Sequence, residues 1–288
     1  MDGIIVKGVG GLYTVRVENN YYKCKARGKF RYDKYTPMVG DRVNIMVEKD
    51  DNAVIEKIYE RTSELIRPFV ANVTQAFVVF TLNNPSINID LLNRFIILCE
   101  YNNLNVVLCL NKMDLVKEGE YEDIFNMLKS MPYEVIFLNA DKEEGIDNIK
   151  EKLKDNISVF CGPSGVGKST ILNAVIGKEH METGEVSEKL KRGKHTTRHA
   201  ELVQFENGFL VDTPGFSSIN IDFIKKEDLQ NYFPELKNLV GECKFSNCMH
   251  YKEPGCIVKN FVEEEKIHKY RYEVYIRILE ELQNLRRY

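Results

Sequence analysis

The sequence predicts a multidomain chain: a small β-barrel first, an α/β core in the middle and an α-helical domain last. Three observations carry that prediction. Five short strand-like segments, punctuated by glycine, asparagine and aspartate pairs, occupy the first 65 residues. A short apolar run, a glycine-rich turn and a helix start follow one another over residues 157–176. Three of the seven cysteines and a histidine crowd into fourteen residues from Cys243 to Cys256. For 288 residues, two or three domains are the ordinary expectation.

The strand candidates of the first domain, residues 1–66, are Ile4-Ile5-Val6, Leu12 to Val17, Tyr21 to Arg27, Arg42 to Val47 and Ala53-Val54-Ile55. Gly10-Gly11, Asn19-Asn20, Gly40-Asp41 and Asp50-Asp51-Asn52 separate them. Five short strands without a long helix suit a small barrel such as an OB-fold. Lys23, Lys25, Arg27, Lys29 and Arg31 alternate with Tyr22, Cys24, Ala26, Gly28 and Phe30. On one extended strand this puts five positive charges on one face. OB-folds bind oligonucleotides through such surfaces, so RNA is expected here. A solvated strand face is the alternative, Gly28 is where the row would split, and Asp33 is the one acid nearby.

The core is expected over residues 67–217. Gly162-Pro163-Ser164-Gly165-Val166-Gly167-Lys168-Ser169-Thr170 fits G-x-x-x-x-G-K-[ST], after the strand-like Ile157 to Cys161 and before Ile171, Leu172, Val175 and Ile176 at helical spacing. Glycines there let backbone N–H groups converge on phosphates at a helix N-terminus. Lys168 is expected on the β- and γ-phosphates and Ser169 on Mg²⁺. Gly208 to Val211 reads as a strand ending in Asp212-Thr213-Pro214-Gly215, a D-x-x-G element. Asp212 belongs with the Mg²⁺ shell and the Gly215 N–H with the γ-phosphate. Between them Gly193-Lys194-His195-Thr196-Thr197-Arg198 has the character of a switch loop, with Thr197, or else Thr196, completing the metal shell.

Upstream, the apolar Val106 to Leu110 leads into Asn111-Lys112-Met113-Asp114, the N-K-x-D that reads guanine. Asp114 accepts from the ring N1–H and the 2-amino group, which adenine cannot offer, and a carboxylate left unpaired is costly. A second base loop is expected at Asn139-Ala140; GTPases commonly carry Ser-Ala there, so only the Ala140 backbone contact is carried over. The base reader thus precedes the phosphate loop by about fifty residues, the reverse of the Ras-like order. Both patterns sit in the context their chemistry needs, so the GTPase order is circularly permuted.

The last domain, residues 218–288, carries Cys243-x4-Cys248-x-His250-x5-Cys256. Thiolates and an imidazole around a closed tetrahedral site suit structural zinc, the alternative being unmetallated core thiols. Tyr270, Val274, Ile278 and Leu282 recur every four residues, an amphipathic helix packing on its own domain.

The base motif, phosphate loop, G-K-H-T-T-R switch, D-T-P-G-F and cysteine/histidine cluster together resemble the circularly permuted ribosome small-subunit-dependent GTPase A family over nearly the whole chain. The resemblance implies an OB-fold, a permuted P-loop GTPase core and a zinc domain. It further implies GTP hydrolysis to GDP and phosphate, stimulated by the small ribosomal subunit during its late maturation. The expected cofactors are one structural Zn²⁺ and Mg²⁺ with GTP; the expected partners are the small subunit and its rRNA, for a monomer without membrane contact. A GTP-regulated RNA-binding switch and a GTPase of a non-ribosomal process are the alternative functions. Phe216 stands where Ras-like enzymes place the water-orienting glutamine. His195 is the candidate for that role, or else a loop residue that touches RNA.

Composition agrees. Net charge is −3, so nucleic-acid binding must rest on local patches. No run of eighteen apolar residues exists, and Met1-Asp2-Gly3 does not open a signal peptide. Seven cysteines, an odd number, argue against a disulfide framework and for a reducing cytoplasm.

Overall fold

The computed structural model describes residues 1–28, 30, 35–48, 52–66, 68–181, 200–212 and 219–285. Strands β1 (Asp2–Val9), β2 (Leu12–Val17), β3 (Asn20–Ala26), β4 (Arg42–Val47) and β5 (Asn52–Ile58) close a barrel in the order β1-β2-β3-β5-β4. Only the β3–β5 pair is parallel. Ile5, Val15, Cys24, Val43, Ile45 and Ile55 fill the interior, each at most 1% exposed. Alternation along β3 holds where the strand does: Cys24 is buried while Lys23 and Lys25 are exposed.

The strand stops at Ala26, its last partner being Ile55. Arg27 therefore lies beyond the strand face that carries Lys23 and Lys25. Gly28 lies in a turn, and Phe30 then folds back into the core. Arg27, past the strand end, pairs with Glu56, an acid distant in sequence that the local reading did not see. Lys29 and Arg31 lie outside the described residues.

The connection out of the barrel is tied down. Strands β6 (Glu64–Leu65) and β7 (Val70–Ala71) form a small hairpin that spans the boundary expected at residue 66. Arg61 grips the fully buried Asp41 through two bonds of 2.7 and 2.8 Å and donates to the Thr36 carbonyl. Gly40, at φ +89°, lets Ala71 approach so closely that a Cβ there would lie 2.0 Å from the Ala71 oxygen.

The core alternates strands and helices: β8 (Gln75–Thr81), α1 (Ile89–Tyr101), β9 (Asn105–Asn111), α2 (Glu122–Ser130), β10 (Glu134–Phe137), α3 (Ile146–Leu153), β11 (Ile157–Cys161), α4 (Lys168–Met181), β12 (Leu202–Phe205) and β13 (Gly208–Val211). The sheet order is β10-β9-β8-β11-β13-β12, parallel except for β12. Central β8 is buried at every position, as a strand covered on both faces must be. Ala76, Val78 and Phe80 face α1 and α2, while Phe77 and Val79 face α3 and α4.

The last domain follows the expected helical plan: a 3₁₀ turn at Lys226–Tyr232, then α5 (Pro234–Lys237), α6 (Ile257–Glu263) and α7 (Lys269–Asn284). Helix α7 buries Val274, Tyr275, Ile278, Leu279 and Leu282. It also docks on the core. Arg271, 1% exposed, bonds Asn93 of α1 and holds Glu235 at 2.5 and 3.1 Å. Arg277 reaches Asp90 at 2.7 Å, and Arg94 pairs with Glu281. No helix among the described residues is long and apolar enough to cross a membrane.

Candidate functional site

In an open parallel sheet, ligands bind outside the carboxyl ends of the strands. Thr81, Asn111, Phe137, Cys161 and Val211 end their strands along one edge, so the loops that follow them meet there. The phosphate loop leaves β11 and enters α4 at Lys168. Two of its glycines are required by contact as well as by angle. A Cβ on Gly162, at φ +137°, would sit 2.1 Å from the Val79 oxygen; one on Gly167, at φ +94°, would sit 2.3 Å from Asn111 Nδ2.

Asn111 explains why the two motifs belong together. Its Nδ2 donates to the Val166 carbonyl at 2.9 Å, and its Oδ1 accepts from the Ala140 N–H at 3.0 Å. One side chain, 3% exposed, thereby joins the phosphate loop, the base motif and the second base loop. Buried polar atoms that are fully paired in this way fix geometry, because losing a partner leaves an uncompensated group. The Ala140 N–H is thus committed to Asn111 in this structure. Lys112, in a left-handed conformation, lays its ammonium between the carbonyls of Gly165 (2.8 Å) and Asn84 (2.9 Å). The Met113 N–H donates to Leu138, leaving Asp114 exposed at the mouth.

Lys168 Nζ donates to the Gly162 and Pro163 carbonyls at 2.8 and 2.6 Å. Burial pushes its pKa down, and an anion at the loop would favour the charged form. Ser169 is exposed on the first turn of α4. Asp212 follows β13, and continuing the β11–β13 register puts it level with Phe160, two residues before the phosphate loop. Ser164 and Gly165 are exposed, Val166 is buried, and Thr170 is partly covered. His195, Thr196, Thr197, Arg198, Gly215 and Phe216 lie outside the described residues. Sequence reasoning passed over Asn84 and Pro85; a Cβ on Gly165 would meet the Pro85 ring at 3.8 Å. Asn84 acts through its backbone carbonyl, which leaves no side-chain signature.

The second cluster lies in the helical domain. Cys243, Cys248, His250 and Cys256 bring their ligand atoms within 4.8 Å of one another. Cys243 Sγ is 3.9 Å from Cys256 Sγ, and His250 Nδ1 is 3.5 and 3.3 Å from those two sulfurs. A tetrahedral zinc with ordinary bond lengths has edges of about 3.8 Å between sulfurs and about 3.5 Å between sulfur and nitrogen, so these side chains fit that ion. Gln230 Oε1 lies 2.9 Å from His250 Nε2, which places a proton there and turns the Nδ1 lone pair inward. Burial lowers the His250 pKa and keeps the ring neutral, as a ligand must be. Burial pushes Cys248 up to about 12 and Cys256 up as well, so their thiolate forms need a cation beside them. Tyr272 and Tyr275 donate to the His250 and Met249 carbonyls at 2.7 and 2.8 Å, tying α7 to the cluster. The sequence pointed to these four side chains but not to Gln230, thirteen residues ahead of the first.

A third feature is a groove of about 920 Å³ on the barrel, whose described lining includes Lys7, Lys23, Lys25, Leu12, Tyr13 and the acid Glu48. Lys7 was not among the expected residues.

Comparison with known proteins agrees with this geometry. A model of the RsgA GTPase family matches residues 58–222, and one of the RsgA N-terminal domain matches residues 2–55. A curated relative from Clostridium botulinum strain Langeland, named small ribosomal subunit biogenesis GTPase RsgA, is 59% identical over 100% of this chain and 99% of its own. A relative of the same name from Clostridium perfringens strain SM101 is 58% identical over 99% of each chain. The solved structure of YloQ, described as a circularly permuted GTPase, superposes with a TM-score of 0.86 at 34% identity, covering 100% of this chain and 96% of that one. YjeQ from Thermotoga maritima gives 0.86 at 36% identity over 99% of each chain.

Proposed function

Because the chain belongs to the RsgA GTPase family, we propose that it hydrolyses GTP to GDP and phosphate on the small ribosomal subunit, during late maturation of that subunit. The observation that carries the nucleotide reading is Asn111, which bonds both the phosphate loop and the second base loop despite the inverted order of the motifs. Asp114 reads the guanine N1–H and 2-amino group, with Asn111, Lys112, Met113 and Ala140 as the walls of that pocket. The loop from Gly162 to Thr170 cradles the phosphates, and Lys168 turns from its own loop carbonyls to the β- and γ-oxygens. Ser169, Asp212 and Thr197 are the residues that would hold Mg²⁺, which when bound neutralises charge between those phosphates. The Gly215 N–H faces the γ-phosphate, and His195 orients the attacking water in place of the side chain missing at Phe216.

Cys243, Cys248, His250 and Cys256 hold one structural zinc, which with four protein ligands has no open position for chemistry. Lys23 and Lys25 on β3, with Arg27 and the following Lys29 and Arg31, contact rRNA phosphates. The protein acts as a monomer in the cytoplasm.

Guanine reading is tested by Asp114→Asn. The amide replaces an acceptor, so GTP affinity should fall by about 10³-fold or more while xanthosine triphosphate, with a carbonyl in place of the amino group, gains. Undiminished GTP affinity with no gain for the xanthosine nucleotide would remove Asp114 from the site.

A further inference from the structure

Lys7 belongs to two places at once. Its side chain lines the basic groove of the barrel beside Lys23 and Lys25. Its ammonium lies 3.2 Å from the Glu201 carboxylate, and the backbones of the two residues form an isolated antiparallel bridge. A register shift in the β1–β2 ladder between Ile5 and Lys7 marks a bulge, the device that re-aims a side chain at a strand edge. Glu201 in turn accepts the Asp212 N–H through its carbonyl at 2.8 Å, immediately before β12 pairs with β13. Glu201 also stands four residues after Thr197 in sequence. The side chains of Lys7 and Glu201 are 33% and 28% exposed, so an anion in the groove can reach the ammonium.

We propose that Lys7 and Glu201 form a clasp between the nucleic-acid groove and the magnesium end of the nucleotide site. An RNA phosphodiester lying along Lys23 and Lys25 takes Lys7 from Glu201. With that side-chain tie gone and the backbone bridge remaining, the strand that supports Asp212 through the Glu201 carbonyl loosens toward the arrangement needed for hydrolysis. Among the described lining residues three lysines face one glutamate, a balance that favours a polyanion as the occupant, and the backbone phosphates supply its charge. The inference rests on the reading of the chain as a GTPase stimulated by the small subunit, and it names the contact through which that stimulation passes. Lys7 and Glu201 are positioning residues in this scheme, since neither touches the nucleotide.

The test is GTP turnover with and without saturating small subunits, together with subunit affinity, for the wild-type chain and three variants. Glu201→Gln opens the clasp and keeps Lys7 for RNA. Unstimulated turnover should rise about threefold, the scale a half-exposed ion pair supports, and the stimulation ratio should narrow by the same factor. Subunit affinity should not weaken. Lys7→Gln should raise unstimulated turnover likewise but lower affinity. The double reversal Lys7→Glu with Glu201→Lys restores the pair, so unstimulated turnover should return to the wild-type value; a negative charge now faces the groove, and stimulation should be lost. An unchanged ratio in Glu201→Gln, or a parallel fall of both rates with no recovery in the double reversal, would overturn the clasp and leave the ion pair a structural contact. Weaker subunit binding by Lys7→Gln with an unaltered ratio at saturation would overturn it too, leaving Lys7 as an RNA contact alone. A wild-type chain that small subunits do not accelerate would defeat the ribosomal reading and the clasp with it. An accelerated wild type with an unaltered Glu201→Gln defeats only the clasp.

Discussion

The helical domain adds to its exposed pairs with the core a buried anchor that, among the described residues, the barrel's contact with the same core lacks. Arg271, 1% exposed, holds the helical domain to α1 through Asn93 while gripping Glu235 of its own domain, and its guanidinium lies 4.6 Å from the centre of the Phe233 ring. The barrel keeps its buried ion pair, Arg61 with Asp41, for the connection that leaves it. Toward β12 it offers the Lys7–Glu201 pair, whose side chains are 33% and 28% exposed, and a 3.4 Å bond from Tyr21 to Gln204. Breaking a buried pair leaves an uncompensated charge, at about 3–5 kcal/mol, whereas exposed pairs exchange partners at a cost of about 0–1 kcal/mol. On this contrast the helical domain is expected to move with α1 as one body, and the barrel's Lys7–Glu201 pair to exchange partners at low cost.

The largest effect that would break this comparison is metal removal. Structural zinc sites contribute about 10 kcal/mol or more to the folding of the segment that holds them. Stripping the metal with a chelator should therefore abolish hydrogen-exchange protection over 226–284 while GTP binding persists, since the nucleotide loops hang on other strands. Protection of α7 that survives in metal-free protein would mean that the arginine contacts alone hold the domain.

Next in size is Arg271→Ala, which leaves Glu235 and Asn93 facing a cavity and should cost about 3–5 kcal/mol by urea unfolding. Arg271→Met, which fills the volume without charge but strands the same two partners, should recover part of that loss. A cost below about 1 kcal/mol for Arg271→Ala would erase the contrast between the joints. The smallest effect is expected for Lys7→Gln, within about 1 kcal/mol of the wild-type stability. A loss like that of Arg271→Ala would make the barrel joint as fixed as the other.

Legibility from sequence followed the range of the interaction. The G-x-x-x-x-G-K-[ST] loop, the N-K-x-D stretch and the Cys/His cluster are dense local patterns whose chemistry dictates residue type, and the structure brings together residues the sequence named, at Asn111 and among Cys243, Cys248, His250 and Cys256. Barrel strands were legible because turn residues punctuate them, and β2 and β4 fell on the expected residues, Leu12–Val17 and Arg42–Val47. The strand expected from Tyr21 to Arg27 stops at Ala26, where pairing with β5 ends, and Gly28, the residue at which the basic row would split, lies in a turn. Gln230 behind His250, Asn84 under Lys112 and Glu201 across from Lys7 are joined by tertiary contact alone, and Asn84 acts through a backbone carbonyl that a side-chain pattern cannot encode. Arg271 was passed over inside an amphipathic helix, where an arginine on the apolar face looks like a break in the pattern until Glu235 and Asn93 are seen around it.

The central claim is that the small ribosomal subunit accelerates GTP hydrolysis by this chain, and phosphate release measures it directly. Purified protein with GTP and Mg²⁺ should turn over slowly alone and with large subunits, and at least about tenfold faster with small subunits, a gain of about 1.4 kcal/mol in the barrier. Equal rates in all three conditions, with GTP binding intact, would contradict the account.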